Sequence, residues 1–358
     1  MMKGKIEFKI INEINDFKNL KEAWSELYNN LENKEIFYEW IWIEEYIKYF
    51  KNSKFKPFVV VGEEKGEIVT IAPLYIEEKK FGIAKKRILK FIVDKTADYQ
   101  CILIRKDYNQ YSVLKKLFRR IFEEQNWDMI SLNNISYREK QSILIGEIIG
   151  KFSDEAICYK KVEKIAPYIN LGEFEEKRNL KRYKEIERKE RAIDRNEKIN
   201  INIDSKWDKE IWYQLVDIHK NTWKDSILKN EDYVQFYESL FYKLYERGKL
   251  EFSYVTYDNQ VISGHLGFKC CNKVYGYNLY NDESWKKLSM GDILIKKVIN
   301  HYKGSYNLLD MLLGNEEYKF YSTDSVINIC DYTIIRKKQI FLRVGKKIKS
   351  CLGDYNSN

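Results

Sequence analysis

The residues best able to do chemistry in this chain fall between positions 261 and 320. In VISGHLGF, strand alternation puts Val261, Ser263 and His265 on one face and Ile262, Leu266 and Phe268 on the other. His265 there is a candidate general base, because an imidazole titrates near working pH. The competing role is a core histidine bonded to backbone. In KLSMGDILIKKVI, Ser289 and Asp292 match the S-x-x-[DE] capping box that opens a helix. Gly291 would leave first-turn amides uncovered, and such amides hold phosphates. Asp292 competes for the same positive helix end. In LLDMLLGNEEYKFY, Asp310 sits inside an apolar strand, where a carboxylate needs a partner or a cleft edge. Lys319 follows on a short helix, placed to pair with Asp310, reach an anionic ligand or simply stay solvated.

Other chemistries are poorly supplied. The histidines are His219, His265 and His301, with no H-E-x-x-H, and the six cysteines (101, 158, 270, 271, 330 and 351) form no C-x-x-C pair. No metal site is expected, and reduced thiols in a cytoplasmic protein are the simplest reading. The chain has 358 residues, 44% of them hydrophobic, enough for about two domains with real cores. A net charge of +9 permits an anionic ligand without naming one. No apolar run reaches the roughly 20 residues that span a bilayer.

The elements that must position these residues are legible as changes of period. Residues 16 to 30, opening at Asp16, and 37 to 50 have helical spacing. PFVVVGEEKGEIVTIAPLYI reads as a hairpin, followed by a helix at 108 to 124 and a strand at 128 to 132. The segment 172 to 200 is dense in both charge signs and predicts a solvated helix laced with ion pairs. Helices at 208 to 222 and 231 to 247 follow, then strands at 251 to 257, 261 to 269 and 273 to 280. The helix GDILIKKVINHYK, the strand YNLLDMLL, a short helix near 315 to 321 and a strand at 326 to 335 complete the pattern. The similar order in the two halves hints at a duplication. RKKQIFLRVGKKIKSCLG near the end mixes cations with apolar residues, which suits packing on the N-terminal domain or peripheral contact with an anionic membrane.

These residues resemble the GNAT acyltransferase superfamily, specifically the two-domain branch similar to the cellulose-biosynthesis acetyltransferase-like family. The matching text is YGYNLY, LSMGDILIKKVI and DMLLGNEEYK, with Glu39-Trp40-Ile41, Ala72-Pro73-Leu74 and Asp98-Tyr99 in the first half. Met290 stands where that family has proline, and the fuller Arg/Gln-x-x-Gly-x-Gly/Ala turn of many relatives is missing. The resemblance covers roughly residues 10 to 335. It implies an α/β (α+β) chain of two tandem GNAT-like domains, each a mixed, mostly antiparallel sheet flanked by helices. The expected limits are 1–170, 171–335 and a basic tail at 336–358.

It further implies an acyl-CoA co-substrate, acetyl or longer, gripped by the backbone around Ser289, Met290, Gly291 and Asp292. His265 and Asp310 would be catalytic, with Asp98, Tyr99, Tyr280 and Lys319 on the acceptor side. The acceptor would be an amino sugar, nucleotide-linked, for cell-surface polysaccharide. No nucleic-acid partner is expected, and a homodimer is permitted. Two alternatives stand beside this reading: aminoacyl transfer from a charged tRNA to a cell-wall precursor, and a non-catalytic GNAT-like scaffold of a polysaccharide complex.

Overall fold

The computed structural model describes residues 5–50, 55–81, 84–174 and 180–337. The first part of the chain forms β1 (Glu7–Ile11), α1 (Ile14–Lys18), α2 (Lys21–Asn29), α3 (Trp40–Phe50), β2 (Pro57–Glu64), β3 (Glu67–Phe81), β4 (Ala84–Phe91) and β5 (Leu103–Ile104). Then come α4 (Gln110–Glu123), β6 (Met129–Ser136), α5 (Gln141–Gly150), β7 (Ala156–Asn170), α6 (Leu180–Ile193), β8 (Ile199–Asn202), α7 (Lys209–Thr222) and α8 (Glu231–Glu246). The last part holds β9 (Leu250–Tyr257), β10 (Gln260–Cys270), β11 (Lys273–Asn281), α9 (Met290–Tyr302), β12 (Leu308–Asp310) and β13 (Val326–Arg336). No helix among the described residues is long and apolar enough to cross a membrane.

The chain divides into two compact units. The first holds described residues up to 33, then 55–162 and 330–337. Its strands run β1-β2-β3-β4-β6-β13, with β1 to β4 antiparallel and β4 parallel to β6. Its core is apolar faces meeting: Leu114, Leu117, Phe118 and Ile121 of α4 pack with Val60, Ile130 and Leu132 of the sheet. Asn109 starts α4 by accepting from Ser112 N at 2.9 Å, satisfying one of the amides a helix start leaves open.

The second unit holds 34–50 and 163–329. Its strands run from the end of β7 through β12-β11-β10-β9-β8, antiparallel except for β11 against β12. The boundary falls near 162, and α3 crosses it: a helix expected to serve the first domain is a structural part of the second. Trp42 meets Phe268 edge-on at 5.2 Å, and Glu35 takes Lys273 at 2.7 Å. The helix expected over 16 to 30 is two pieces, α1 and α2, with Glu13 rather than Asp16 at the first cap position.

A bulge between Val261 and Ser263 alters the face assignment on β10. Ile262 joins Met290, Ile293 and Leu294 of α9, while Phe268 lies against Phe37, Trp42 and Phe241. One extra residue flips the alternation, as a bulge must. The tight turn at Asp258-Asn259 has both residues at positive φ, the geometry a two-residue hairpin needs.

The charged helix α6 is only partly the solvated element its composition predicts. Arg182 and Lys189 do pair with Glu185 across neighbouring turns. Ile186 and Ile193, however, are buried against α9, and Glu190 takes Lys296 and Lys297. Two apolar residues seven apart suffice to dock one face.

His219, half-buried on α7, holds its Nδ1 2.6 Å from Ser226 Oγ, and burial lowers its pKa. The unfolded chain then binds the extra proton more readily, so this group's contribution to stability is present above its ordinary value of 6.5 and is lost as pH falls below it. Urea unfolding at pH 7.5 and 5.5 should show the acid loss shrink in His219→Gln; an unchanged pH dependence would assign the loss elsewhere.

Candidate active site

The site is built where two parallel strands part. β11 and β12 pair only from Lys273 to Tyr275 against Leu308 to Asp310. Beyond that point β11 stays on β10 as far as Asn281 opposite Ser263. The chain after β12 stays instead with β7, through Met311 N to Pro167 O at 2.9 Å and Gly314 N to Ile165 O at 3.2 Å. Asp310 explains the departure. Its buried carboxylate accepts from Leu312 N at 2.9 Å and holds Leu312 at φ +57, a turn that lifts the backbone off β11. The strands thus leave a wedge between Gly276–Asn281 and Met311–Gly314.

His265 stands at the apex of this wedge. A side chain on Gly276 would place its Cβ 3.0 Å from His265 Nε2 and 4.0 Å from Asp310 O. The missing side chain is what lets the ring lie there. The other ring nitrogen, Nδ1, is 2.5 Å from Oε2 of Glu251, a fully buried carboxylate on β9. Ser253 Oγ donates to Glu251 Oε1, and Asp204 N donates to Ser253 Oγ at 3.0 Å. A carboxylate on Nδ1 fixes the ring's orientation and leaves Nε2 turned toward Gly276. The carboxylate that serves His265 is therefore Glu251, which sequence reasoning passed over. The signal was present: a glutamate in the apolar strand LEFSYVTY is as costly to bury unpaired as Asp310.

Gly276→Ala is expected to lower kcat by about tenfold, since a reacting group displaced by a fraction of an ångström loses alignment. Its melting temperature should stay close to the parent's. An unchanged kcat in a folded Gly276→Ala protein would remove His265 Nε2 from the wedge chemistry.

The start of α9 differs from the expected capping box. Ser289 is left-handed at φ 54 and ψ 43 and makes no side-chain cap bond. Its Oγ accepts from Lys189 Nζ at 2.8 Å instead. Asp292 pairs with Arg182 at 2.5 Å. Burial raises the pKa of Asp292, the guanidinium opposing. Met290 and Gly291 are buried, and a Cβ on Gly291 would come within 2.6 Å of the Asn281 side chain. The amides expected to be uncovered thus have Asn281, Lys189 and Arg182 around them. The first-turn carboxylate Asp292 draws Arg182 to this helix end although the positive end of the dipole opposes a cation there, so it is the carboxylate that docks α6 here. A small cavity beside α9 is lined by Arg182, Tyr183, Asp292, Lys296, Tyr318 and Tyr321.

The remaining expected residues are placed differently. Lys319 is buried, donating to Leu313 O at 2.5 Å and pairing with Glu316 at 3.1 Å, so it staples its own turn. Tyr280 is fully buried with its ring near Trp212 and His219, and burial drives its pKa upward. It offers no surface to an acceptor. Asp98 and Tyr99 belong to the first unit, where Tyr99 is fully buried.

Comparison with known proteins bears on this geometry. Residues 180–320 match the family model described as Acetyltransferase (GNAT) domain. No curated protein matches the chain. Among solved structures, FemX superposes at TM-score 0.58 with 9% identity, covering 94% of this chain and 99% of that one. A tandem GNAT protein from the clavulanic acid biosynthesis pathway superposes at 0.51 with 9% identity, covering 93% and 98%. L-PGS from Bacillus licheniformis superposes at 0.51 with 10% identity, covering 87% and 95%. The wedge, His265 and the start of α9 all lie inside the span, residues 180–320, that matches the GNAT domain model, and the fold along most of the chain is similar to that of a tandem GNAT protein.

Proposed function

We propose that the second unit is an acyl-CoA-dependent N-acyltransferase whose acceptor is an amino sugar, nucleotide-linked, in cell-surface polysaccharide synthesis. The observation that carries the acyl-transfer reading is the wedge between β11 and β12 with His265 Nε2 at its apex and Glu251 on Nδ1. Transfer of an acyl group to an amine forms a C–N bond, breaks the donor's C–S bond and releases a proton. His265 accepts that proton, which makes the amine lone pair available, and Glu251 stabilises the resulting imidazolium. A backbone amide on the unpaired edge of β11 polarises the carbonyl.

Arg182 and Lys189, held at the start of α9 by Asp292 and Ser289, are the cations a diphosphate would take over. The choice of an amino sugar, and of the branch similar to the cellulose-biosynthesis family, rests on the sequence resemblance.

The groups around the start of α9 favour a second reading, in which the donor is an aminoacyl ester on tRNA and no diphosphate is gripped there. Native mass spectrometry against a panel of acyl-CoA thioesters separates the two. A retained acyl-CoA adduct that Arg182→Ala weakens supports the first. Absence of any adduct, with aminoacyl transfer from charged tRNA, replaces it with the second.

A further inference from the structure

Glu251 has two carboxylate oxygens, and His265 engages one of them. Oε2 accepts from His265 Nδ1, and Oε1 accepts from Ser253 Oγ. Residues two apart on a strand share a face, so β9 itself sets the serine beside the glutamate. Ser253 is fully buried. A hydroxyl carries one hydrogen and two acceptor lone pairs. Asp204 N donates to Ser253 Oγ at 3.0 Å, which occupies a lone pair and turns the single hydrogen toward Oε1.

The amide that aims the serine is itself held in place. Asp204 follows β8 in the left-handed region at φ +47, a conformation that a non-glycine residue adopts at a cost. Three contacts hold it there. The next amide, Ser205 N, donates to Phe252 O of β9 at 2.7 Å, and the Asp204 carboxylate accepts from Lys269 Nζ of β10 at 2.7 and 2.8 Å. His301 Nε2 of α9 lies 4.0 Å from the same carboxylate. Also on α9, burial and then the charges of Glu251 and Asp204 raise the pKa of Tyr302, so its phenol stays neutral.

We infer that Ser253, aimed by the Asp204 turn, is a positioning residue that acts on His265 through Glu251. This rests on the acyl-transfer reading above and adds what keeps the carboxylate ionised. A buried carboxylate oxygen left unmet favours the neutral acid. Once Nε2 has taken a proton from the amine, an under-bonded Glu251 would draw the Nδ1 proton onto Oε2, and the charge that supports the imidazolium would be gone. The Ser253 hydrogen bond favours the ionised carboxylate and so keeps that proton on the ring.

Imidazole NMR of the full chain reads this pair without any substrate, and with only three histidines in the sequence the His265 signal can be assigned by substitution. The parent should show a strongly downfield proton on Nδ1. Ser253→Ala should shift that resonance and lower kcat by about tenfold with KM for the acyl-CoA unchanged, and Ser253→Thr, which restores a hydroxyl, should recover both. Asp204→Gly keeps the amide and suits the positive φ but frees the turn from Lys269. It should move the same resonance by less, and it decides the matter if Ser253→Ala does not fold. A parent that turns over no acyl-CoA would remove the acyl-transfer reading, while the resonance would still report on Ser253. The inference is overturned if folded Ser253→Ala keeps the parental resonance, or if the resonance moves while kcat in an active enzyme does not.

Discussion

Replacing His265 with alanine is expected to lower kcat by about 10² to 10⁴, the usual contribution of a positioned general base. Donor affinity should stay nearly unchanged, because the ring lies at the wedge apex and not among the cations of α6. The split between kcat and KM is the decisive readout. A merely structural histidine would, on truncation, weaken donor binding and stability together, since a buried ring and its buried carboxylate partner would be lost at once. Glu251→Gln supplies the second arm. It keeps the shape of the side chain but removes the charge that stabilises an imidazolium, so kcat should fall less than in His265→Ala and the pH–rate profile should change. His265→Ala with parental kcat would exclude His265 as the base, and a Glu251→Gln protein with the parental pH profile would reduce Glu251 to packing.

The parts of this site that sequence exposed and those it hid differ for physical reasons. His265 and Asp310 were conspicuous because polar side chains in apolar strands demand explanation. Their roles were not, because pairing depends on register. A glutamate on β9 reaches His265 only through the antiparallel ladder that sets Ser253 opposite it. Asp310 turned out to act on its own backbone two residues on.

The capping box at Ser289 and Asp292 is a local pattern, and local patterns yield when tertiary partners are stronger. Lys189 and Arg182 of α6 engage the same two side chains from a helix about 100 residues earlier. The strands and helices of the second half were legible in order because their period is set by which face is buried. The bulge at Ile262 was not, because no residue type announces it. Least legible was the membership of α3. Its apolar spacing predicts a helix, but nothing in a helical period says which sheet the helix will cover.

That membership leads to the last expectation. Trp42→Ala should destabilise the second unit by about 3 to 5 kcal/mol, the range for truncating a fully buried aromatic. Trp42 has no solvent exposure and meets Phe37 at 4.7 Å, Phe268 at 5.2 Å and Tyr277 at 6.0 Å, all edge-on. The same segment is tied down by charge. Glu35 accepts from Lys273 and from the Tyr275 hydroxyl, Glu39 from Lys249, and the fully buried Glu45 from Lys243 and Ser239. Loosening the segment would leave those carboxylates either unpaired or hydrated, and either way α3 would stop covering β10.

Hydrogen exchange of Trp42→Ala should therefore show faster exchange in peptides from β10, β11 and α8, with peptides from 55–162 unchanged. If protection is lost from 55–162 instead, α3 serves the first unit in solution. A fragment beginning at residue 163 is expected to fail for the same reason: it contains the histidine, the glutamate and the wedge, but Phe268 and Tyr275 would face water.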